Sequence, residues 1–159
     1  MDTAALLDKL ISEGFTVATA ESCTGGLIAS SIVDIPGASD CFNEGYITYS
    51  NEAKMKNLGV SEATLIAHGA VSIETATEMA KGVRRKAQSD FGISSTGIAG
   101  PGGGSPKKPV GLVYIGCAYG EDKCVVKELR LKGDRTAVRK AAAAEALKLL
   151  SECLMQIVK

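Results

Sequence analysis

The sequence predicts an α/β protein: a three-layer α/β/α sandwich around a mixed β-sheet, formed as a single domain by residues 1–159. Short apolar segments of strand length alternate with segments of helical spacing, which favours parallel strands covered by helices on both faces. Two further strand patterns follow each other across a tight turn and predict an antiparallel pair. The composition agrees, because it is 45% hydrophobic but only 4% aromatic, so Ala, Val, Ile and Leu must form the core.

The first half of the chain predicts two buried strands, each followed by a helix. Apolar residues at helical spacing open the chain, and Gly14 ends that helix. The turn "TAESCTGG" separates the first strand from the next helix, and Ser50 or Asn51 is expected to cap the helix after the second strand. The expected elements are a helix over 3–13, a strand over 15–20, a helix over 25–33, a loop over 34–39, a strand over 46–49 and a helix ending at Leu58.

The second half predicts two helices, three strands and a long final helix. Both "SEATLIAH" and "SIETATEMAKGVRRKAQ" open with a serine N-cap, and in the second Thr75 follows Ser72 at the capping-box position. The segment "TGIAGPGGGSPKKP" is too rich in Gly and Pro for regular structure. Strands are therefore expected over 91–95, 110–118 and 124–131, with the last two joined by "YGED". Asp134 caps a helix that runs to the end of the sequence.

Charge and hydropathy disfavour several classes of partner. The chain has 18 basic and 18 acidic residues and no net charge. A neutral chain with few aromatic residues is not typical of nucleic-acid binding, and no apolar stretch is long enough to cross a bilayer. The opening residues lack the basic start and apolar core of an export signal. We therefore expect a cytoplasmic protein with no nucleic-acid partner and no membrane partner.

The cysteine and histidine counts restrict the chemistry further. Five cysteines, an odd number without CxxC spacing, are expected to be reduced thiols. His68 is the only histidine, and one imidazole with scattered cysteines does not form a normal metal-ligand set. A Ser-His-Asp triad would need His68, but its position before Gly69 is typical of a helix end. We expect no metal site.

The turn "TAESCTGG" is the first candidate site. It puts Ser22 between a strand and a helix, where the amides of Thr24, Gly25 and Gly26 would form the first helical turn. Such a turn binds a phosphate or the oxyanion of an acyl-transfer intermediate. The alternative is a tight turn that needs small residues and is capped by Ser22 or Thr24. Cys23 is a rival nucleophile, because a helix N-terminus activates a thiolate.

A serine hydroxyl needs a base, and Lys54 in "YSNEAKMK" is the candidate. Near the start of a helix the dipole opposes a cation, and Lys56 lies close in sequence. Those effects are small, so burial would have to lower the pKa of the amine. The alternative is a solvated lysine.

Two other segments are candidates for substrate binding. Thr96 is expected at a strand end, before glycines whose amides turn toward an anion. The alternative is a flexible loop between strands. Arg135 and Arg139 lie four residues apart on one helical face and together are able to hold a phosphate. The alternative is two solvated arginines.

Five blocks resemble the CinA C-terminal domain, the nicotinamide-nucleotide amidase family. They extend from about residue 15 to 140 in the order of that family. The blocks are "TAESCTGGLIAS", "GYITYSNEAKMKNLGV", "HGAVSIETATEMAKG", "STGIAGPGGGSPKKPVGLVYIG" and "KGDRTAVR". The resemblance implies a metal-free serine amidase that converts nicotinamide mononucleotide to nicotinate mononucleotide and ammonia, with no cofactor. It also implies that residues 1–159 form one such amidase domain.

The resemblance implies a role for each matching residue. Ser22 would be the nucleophile and Lys54 its base. The other implied roles are oxyanion binding by Thr24, Gly25 and Gly26, flanking of the base by Tyr49 and Asn51, enclosure of the substrate by Thr96 and the loop that contains Gly97, Gly100, Gly102 and Gly103, and phosphate binding by Arg135 or Arg139. A non-catalytic nucleotide-sensing or partner-binding domain, linked to competence or DNA damage, is the alternative. We also expect a homo-oligomer, as is common among small α/β enzymes.

Overall fold

The computed structural model describes residues 1–158, which form six α-helices, one short 3₁₀ helix and five strands. The 3₁₀ helix spans Ala38–Asp40. In chain order the other elements are α1 (Thr3–Glu13), β1 (Val17–Glu21), α2 (Leu27–Val33), β2 (Phe42–Ile47), α3 (Asn51–Leu58), α4 (Glu62–His68), α5 (Ile73–Ala87), β3 (Phe91–Gly97), β4 (Leu112–Tyr119), β5 (Lys123–Arg130) and α6 (Arg135–Ile157).

The strands form one mixed sheet in the order β2-β1-β3-β4-β5. β1 pairs in parallel with both β2 and β3, whereas β4 runs antiparallel to β3 and β5. The predicted mixed sheet and the predicted hairpin are therefore confirmed. Because β1, β2 and β3 are parallel, their carboxyl ends meet at one edge of the sheet, which is where α/β proteins commonly bind ligands.

Helices cover both faces of the sheet, as predicted for three layers. Side chains alternate along a strand, and on β1 Val17 packs into a core with α1, α2 and α6, while its neighbours Ala18 and Ala20 pack against α3 and α5. Close packing also fixes α3, since a Cβ at Gly82 of α5 would collide with the carbonyl oxygen of Leu58 in α3. This contact matters for function because α3 carries Lys54.

The predicted N-cap residues are confirmed, whereas the Thr75 hydroxyl donates to the Gly69 carbonyl and does not complete a capping box. The side chains of Ser61, Ser72 and Asp134 each accept a hydrogen bond from the amide three residues later, which satisfies a donor that the first helical turn leaves free. Ser50, not Asn51, caps α3 in the same way. His68 is the last residue of α4, as predicted, and Gly69 follows it.

The ends of β1, β3, β4 and β5 differ from the prediction by one or two residues, and the start of α2 and the range of β2 were also wrong. α2 begins at Leu27 instead of residue 25, because Gly25 and Gly26 have positive φ angles of 56° and 101° that a right-handed helix excludes. β2 spans 42–47 instead of 46–49. It is an edge strand whose residues alternate between half-buried and exposed. Such a strand tolerates polar residues, and its polar residues are the reason that the sequence pattern did not indicate a strand from residue 42. Within residues 1–158, none of the helices combines the length and the apolar character that spanning a bilayer requires.

Candidate active site

A cleft of about 260 Å³ opens at the carboxyl edge of the parallel strands. Its floor carries Ser22, which directly follows β1, and Lys54 of α3. Thr96 and Gly97, the last residues of β3, form a second wall. The topology thus brings together three segments that are far apart in the sequence.

Ser22 and Lys54 are in direct contact in this cleft. The Lys54 Nζ lies 3.1 Å from the Ser22 Oγ, although the residues are 32 positions apart. Lys54 is only 1% exposed and Ser22 only 8%. Ser22 is also held by its backbone, since its amide donates to the carbonyl of Ser95 on β3. The hydroxyl is therefore fixed next to the amine.

Burial and two backbone oxygens define the surroundings of Lys54. The Nζ also bonds to two backbone oxygens, those of Thr48 at 2.9 Å and Tyr49 at 3.2 Å. Burial lowers the pKa of Lys54 from its ordinary value of 10.5. A neutral amine has two N–H donors and one lone pair, and carbonyl oxygens only accept. In the neutral form the two donors would go to the carbonyls, which leaves the lone pair facing the Ser22 hydroxyl.

Cys23 lines the same cleft but has the properties of a neutral thiol. It is 5% exposed, and burial raises its pKa to about 11. Its carbonyl oxygen accepts a hydrogen bond from Arg139. A thiol that stays protonated at neutral pH is a poor nucleophile, so the geometry and the electrostatics favour Ser22 over Cys23.

The turn after Ser22 differs from the expected helix N-terminus. The first amides of α2 do not face the cleft, because the carboxylate of Glu21 accepts from the amides of Ile28 and Ala29. The Thr24 hydroxyl is buried against the same carboxylate. Within residues 1–158, the amides of Cys23, Thr24 and Gly26 have no hydrogen-bond acceptor, and those of Cys23 and Thr24 are the nearest of the three to Ser22 in the chain.

The predicted roles of Gly25 and Gly26 in the site are not supported. The Gly25 amide donates to the Ser22 carbonyl, and neither glycine lines the cleft. A Cβ on Gly25 would meet the Arg139 guanidinium, and one on Gly26 would meet Ile47. Their positive φ angles turn the chain from β1 into α2, so their role here is conformational.

The glycine-rich loop over residues 98–111 forms the opposite wall. Of the binding residues expected in β3 and this loop, the ones that line the cleft are Thr96, Gly97, Gly100, Gly102 and Gly103. The Thr96 hydroxyl donates to the Ala70 carbonyl, so it braces the wall. The Lys108 Nζ donates to the His68 carbonyl and ties the loop to the end of α4.

The two candidate arginines have different environments. Arg135 lines the cleft and donates to the Gly100 carbonyl and to the Tyr49 hydroxyl, at 2.7 and 3.1 Å. Arg139 lies one turn further along α6 and donates to the carbonyls of Cys23 and Thr24. Arg139 therefore holds the turn, and only Arg135 presents its charge to the cleft. Asn51, expected beside the base, is exposed at the start of α3 and outside the cleft lining.

Sequence reasoning missed part of the site. Ala70 and Val71 line the cleft from the segment before α5, and Ile98 and Ala99 line it from the loop. These residues lie in the segments "HGAV" and "TGIAG", which belong to the blocks quoted above. Apolar side chains do not by themselves indicate a binding role, so these residues were not predicted. The capping role of Glu21 was also missed. Among residues 1–158, no cluster of three or more His, Cys, Asp or Glu side chains is arranged to hold a metal ion. The five cysteines are free thiols.

Comparisons with known proteins agree on one family. The family model described as the CinA C-terminal domain matches residues 2–154. A competence-damage inducible protein of Caldanaerobacter subterraneus subsp. tengcongensis is 59% identical over 94% of this chain and 36% of its own length. A CinA-like protein of Kosmotoga olearia is 54% identical over 96% of this chain and 37% of its own length. The chain thus spans little more than a third of these relatives.

Solved structures show the same fold. The competence/damage inducible protein CihA of Agrobacterium tumefaciens superposes with a TM-score of 0.90 at 42% identity, over 98% of this chain and 97% of its own. A CinA superfamily protein of Klebsiella pneumoniae gives 0.93 at 34% identity, over 97% and 96%. The chain belongs to the CinA C-terminal domain family.

Proposed function

We propose that this chain hydrolyses the carboxamide of nicotinamide mononucleotide, giving nicotinate mononucleotide and ammonia. The observation that carries the proposal is the contact between Ser22 and Lys54, at 3.1 Å and buried in a cleft. A hydroxyl beside an amine of lowered pKa is the arrangement that a serine amidase needs. The family membership supports the same activity.

In the first half-reaction the Ser22 oxygen attacks the carboxamide carbon while Lys54 takes the hydroxyl proton. The negative charge on the carboxamide oxygen is stabilised by the free amides of Cys23 and Thr24. Lys54 then gives its proton to the departing nitrogen, so the C–N bond breaks and ammonia leaves. The result is an ester between Ser22 and the nicotinate carbonyl.

In the second half-reaction water replaces Ser22 as the nucleophile. Lys54 takes a proton from water, the hydroxide attacks the ester carbonyl, and the proton returns to the Ser22 oxygen as the C–O bond breaks. One water is consumed and one carboxylic acid forms, so the atoms balance. The free enzyme is restored with a neutral amine.

The experiment that tests the proposal measures ammonia. Purified protein incubated with nicotinamide mononucleotide should release one ammonia for each nicotinate mononucleotide, and both products are quantified in the same sample. Tight binding of the mononucleotide without any ammonia would contradict the amidase. That result would favour the nucleotide-sensing alternative.

Arg135 is predicted to bind the phosphate of the substrate. Its guanidinium faces the cleft, and one charged hydrogen bond is worth roughly 10- to 100-fold in affinity. Arg135→Gln should therefore raise KM for the mononucleotide by about that factor. It should leave hydrolysis of the riboside, which lacks the phosphate, almost unchanged.

Arg139→Gln is the matched control for this prediction. Arg139 holds the carbonyls of Cys23 and Thr24, so its loss should lower kcat for both substrates alike. Steady-state kinetics of the two variants on the two substrates separate the roles. Equal effects of Arg135→Gln on mononucleotide and riboside would exclude the phosphate contact.

Hydrolysis is predicted to increase with pH in the range where Lys54 loses its proton. The base is active only when neutral, and burial places the pKa of Lys54 below 10.5. Below the folded-state pKa, kcat/KM should fall about tenfold for each pH unit. Initial rates over a pH series give the midpoint. A rate that is constant from acid to alkaline pH would show that no titrating base takes part.

A further inference from the structure

Glu21 is a buried carboxylate that the proposed mechanism does not use. It directly precedes Ser22 and is 1% exposed. Its Oε1 accepts from the Thr24 hydroxyl at 2.6 Å and from the Ile28 amide at 2.9 Å, and its Oε2 accepts from the Ala29 amide at 3.0 Å. A buried charge is costly unless it is hydrogen-bonded. The three donors around Glu21 therefore stabilise its carboxylate in this buried position.

The bonds around Glu21 have a single consistent direction. A carboxylate only accepts, so Thr24 donates its hydroxyl proton to Glu21. The Thr24 oxygen lies 2.6 Å from the Ser95 Oγ, and with its own proton committed it must accept from Ser95. The chain Ser95–Thr24–Glu21 therefore links β3 to the start of α2 across the turn that carries Ser22.

The backbone extends this link to the base. The Glu21 carbonyl accepts from the Thr48 amide, and the Thr48 carbonyl accepts from the Lys54 Nζ at 2.9 Å. The Ser22 amide is bonded to the Ser95 carbonyl at the same time. Glu21 and its hydrogen-bond partners therefore contact both Ser95, whose backbone holds Ser22, and Thr48, whose backbone holds Lys54.

We propose that Glu21 is a positioning residue for the hydrolytic reaction, whose carboxylate locks the turn so that the Ser22 hydroxyl stays against Lys54. This inference rests on the proposed function. Glu21 is outside the cleft lining, so it is not placed to contact a substrate there. It acts by holding the turn that carries Ser22, and it fills the N-terminus of α2 so that the oxyanion is left to the amides of Cys23 and Thr24.

The test replaces the carboxylate with its isosteric amide, Glu21→Gln. The amide NH₂ would face the Ala29 amide or another of the three donors, so one bond is lost and the turn relaxes. The matched control is Glu62→Gln, which removes an exposed carboxylate from the first turn of α4. Thermal melts followed by circular dichroism establish that each variant is folded at the assay temperature.

The main readout is covalent labelling of Ser22 by a fluorophosphonate, which bonds to the activated oxygen and releases fluoride. A misplaced hydroxyl costs roughly 100-fold in rate, and Glu21→Gln should slow labelling by about that factor. The pH midpoint of labelling should be unchanged, because the base itself is not altered. With nicotinamide mononucleotide, kcat should fall and KM should not. Glu62→Gln should behave like the wild type.

A second pair of variants keeps the test decisive if Glu21→Gln does not fold. Thr24→Val removes the hydroxyl that bonds to Glu21, while Thr24→Ser keeps it. Labelling should be about tenfold slower in Thr24→Val than in Thr24→Ser, because only the serine keeps the hydrogen bond to Glu21 and one such bond is worth about that factor. Equal rates in these two variants would overturn the proposal.

Two other results also overturn it. Wild-type labelling in folded Glu21→Gln would mean that the carboxylate does not position Ser22. A shifted pH midpoint would mean that Glu21 acts on the charge of Lys54 instead. Labelling of the wild type without ammonia release would refute the amidase and leave the positioning role intact, so the two failures are distinguishable.

Discussion

Ser22→Ala is expected to abolish ammonia release from nicotinamide mononucleotide. The alanine has no oxygen to attack the carboxamide, and removing the nucleophile of a comparable serine hydrolase costs roughly 10⁶-fold in kcat. The fold should persist, because Ser22 is held by its backbone bond to Ser95 and loses only its contact with Lys54. Because the cleft keeps its shape, binding of the substrate, measured by calorimetry, should remain within about a few-fold of the wild type.

Cys23→Ala is the control for this prediction. Cys23 lines the same cleft, but its raised pKa keeps the thiol protonated at neutral pH. The variant should keep kcat within about tenfold of the wild type, with the loss due to packing of the turn. A dead Cys23→Ala together with an active Ser22→Ala would reverse the assignment of the nucleophile.

Much of the fold could be predicted because the signals were local. Serine and aspartate caps at Ser61, Ser72 and Asp134 act on amides three residues away, so the sequence contains the whole interaction. The candidate pair was also predictable. Ser22 and Lys54 follow two strands, and the carboxyl ends of parallel strands lie at one edge of a sheet.

The remaining features depend on long-range contacts that no local pattern encodes. Arg135 and Arg139 have equivalent positions on one helical face, and only the acceptors they meet separate them. Arg135 donates to the Gly100 carbonyl and lines the cleft, whereas Arg139 donates to the carbonyls of Cys23 and Thr24 and lies outside the cleft lining.

The start of α2 was mispredicted for a related reason. The small residues after Ser22 are compatible both with the first turn of a helix and with a turn of positive φ. The Glu21 carboxylate accepts from the first amides of α2, although Glu21 belongs to β1, the strand before the turn. The turn therefore separates the capping residue from the amides that it caps. A carboxylate seven residues before the amide that donates to it is not a recognised capping pattern in sequence.

Lys54→Met is expected to reduce hydrolysis nearly as strongly as Ser22→Ala. Methionine fills the volume of the buried side chain but has no lone pair for the Ser22 proton, and residues that act as one unit each cost about the same when removed. Lys56→Met, an exposed change on the same helix, is the matched control and should keep wild-type activity. Substantial hydrolysis by Lys54→Met would show that another group takes the proton.

Unfolding experiments on the same variant test the premise without any substrate. Burial lowers the pKa of Lys54 in the folded chain below its ordinary 10.5, so between those two values the unfolded wild type binds more protons than the folded one. The wild type must therefore gain stability relative to Lys54→Met as the pH rises through this interval. Below the interval both states are protonated and the difference is constant. Urea denaturation at several pH values measures it, and a difference that stays flat up to pH 10.5 would mean that Lys54 remains charged and cannot be the base.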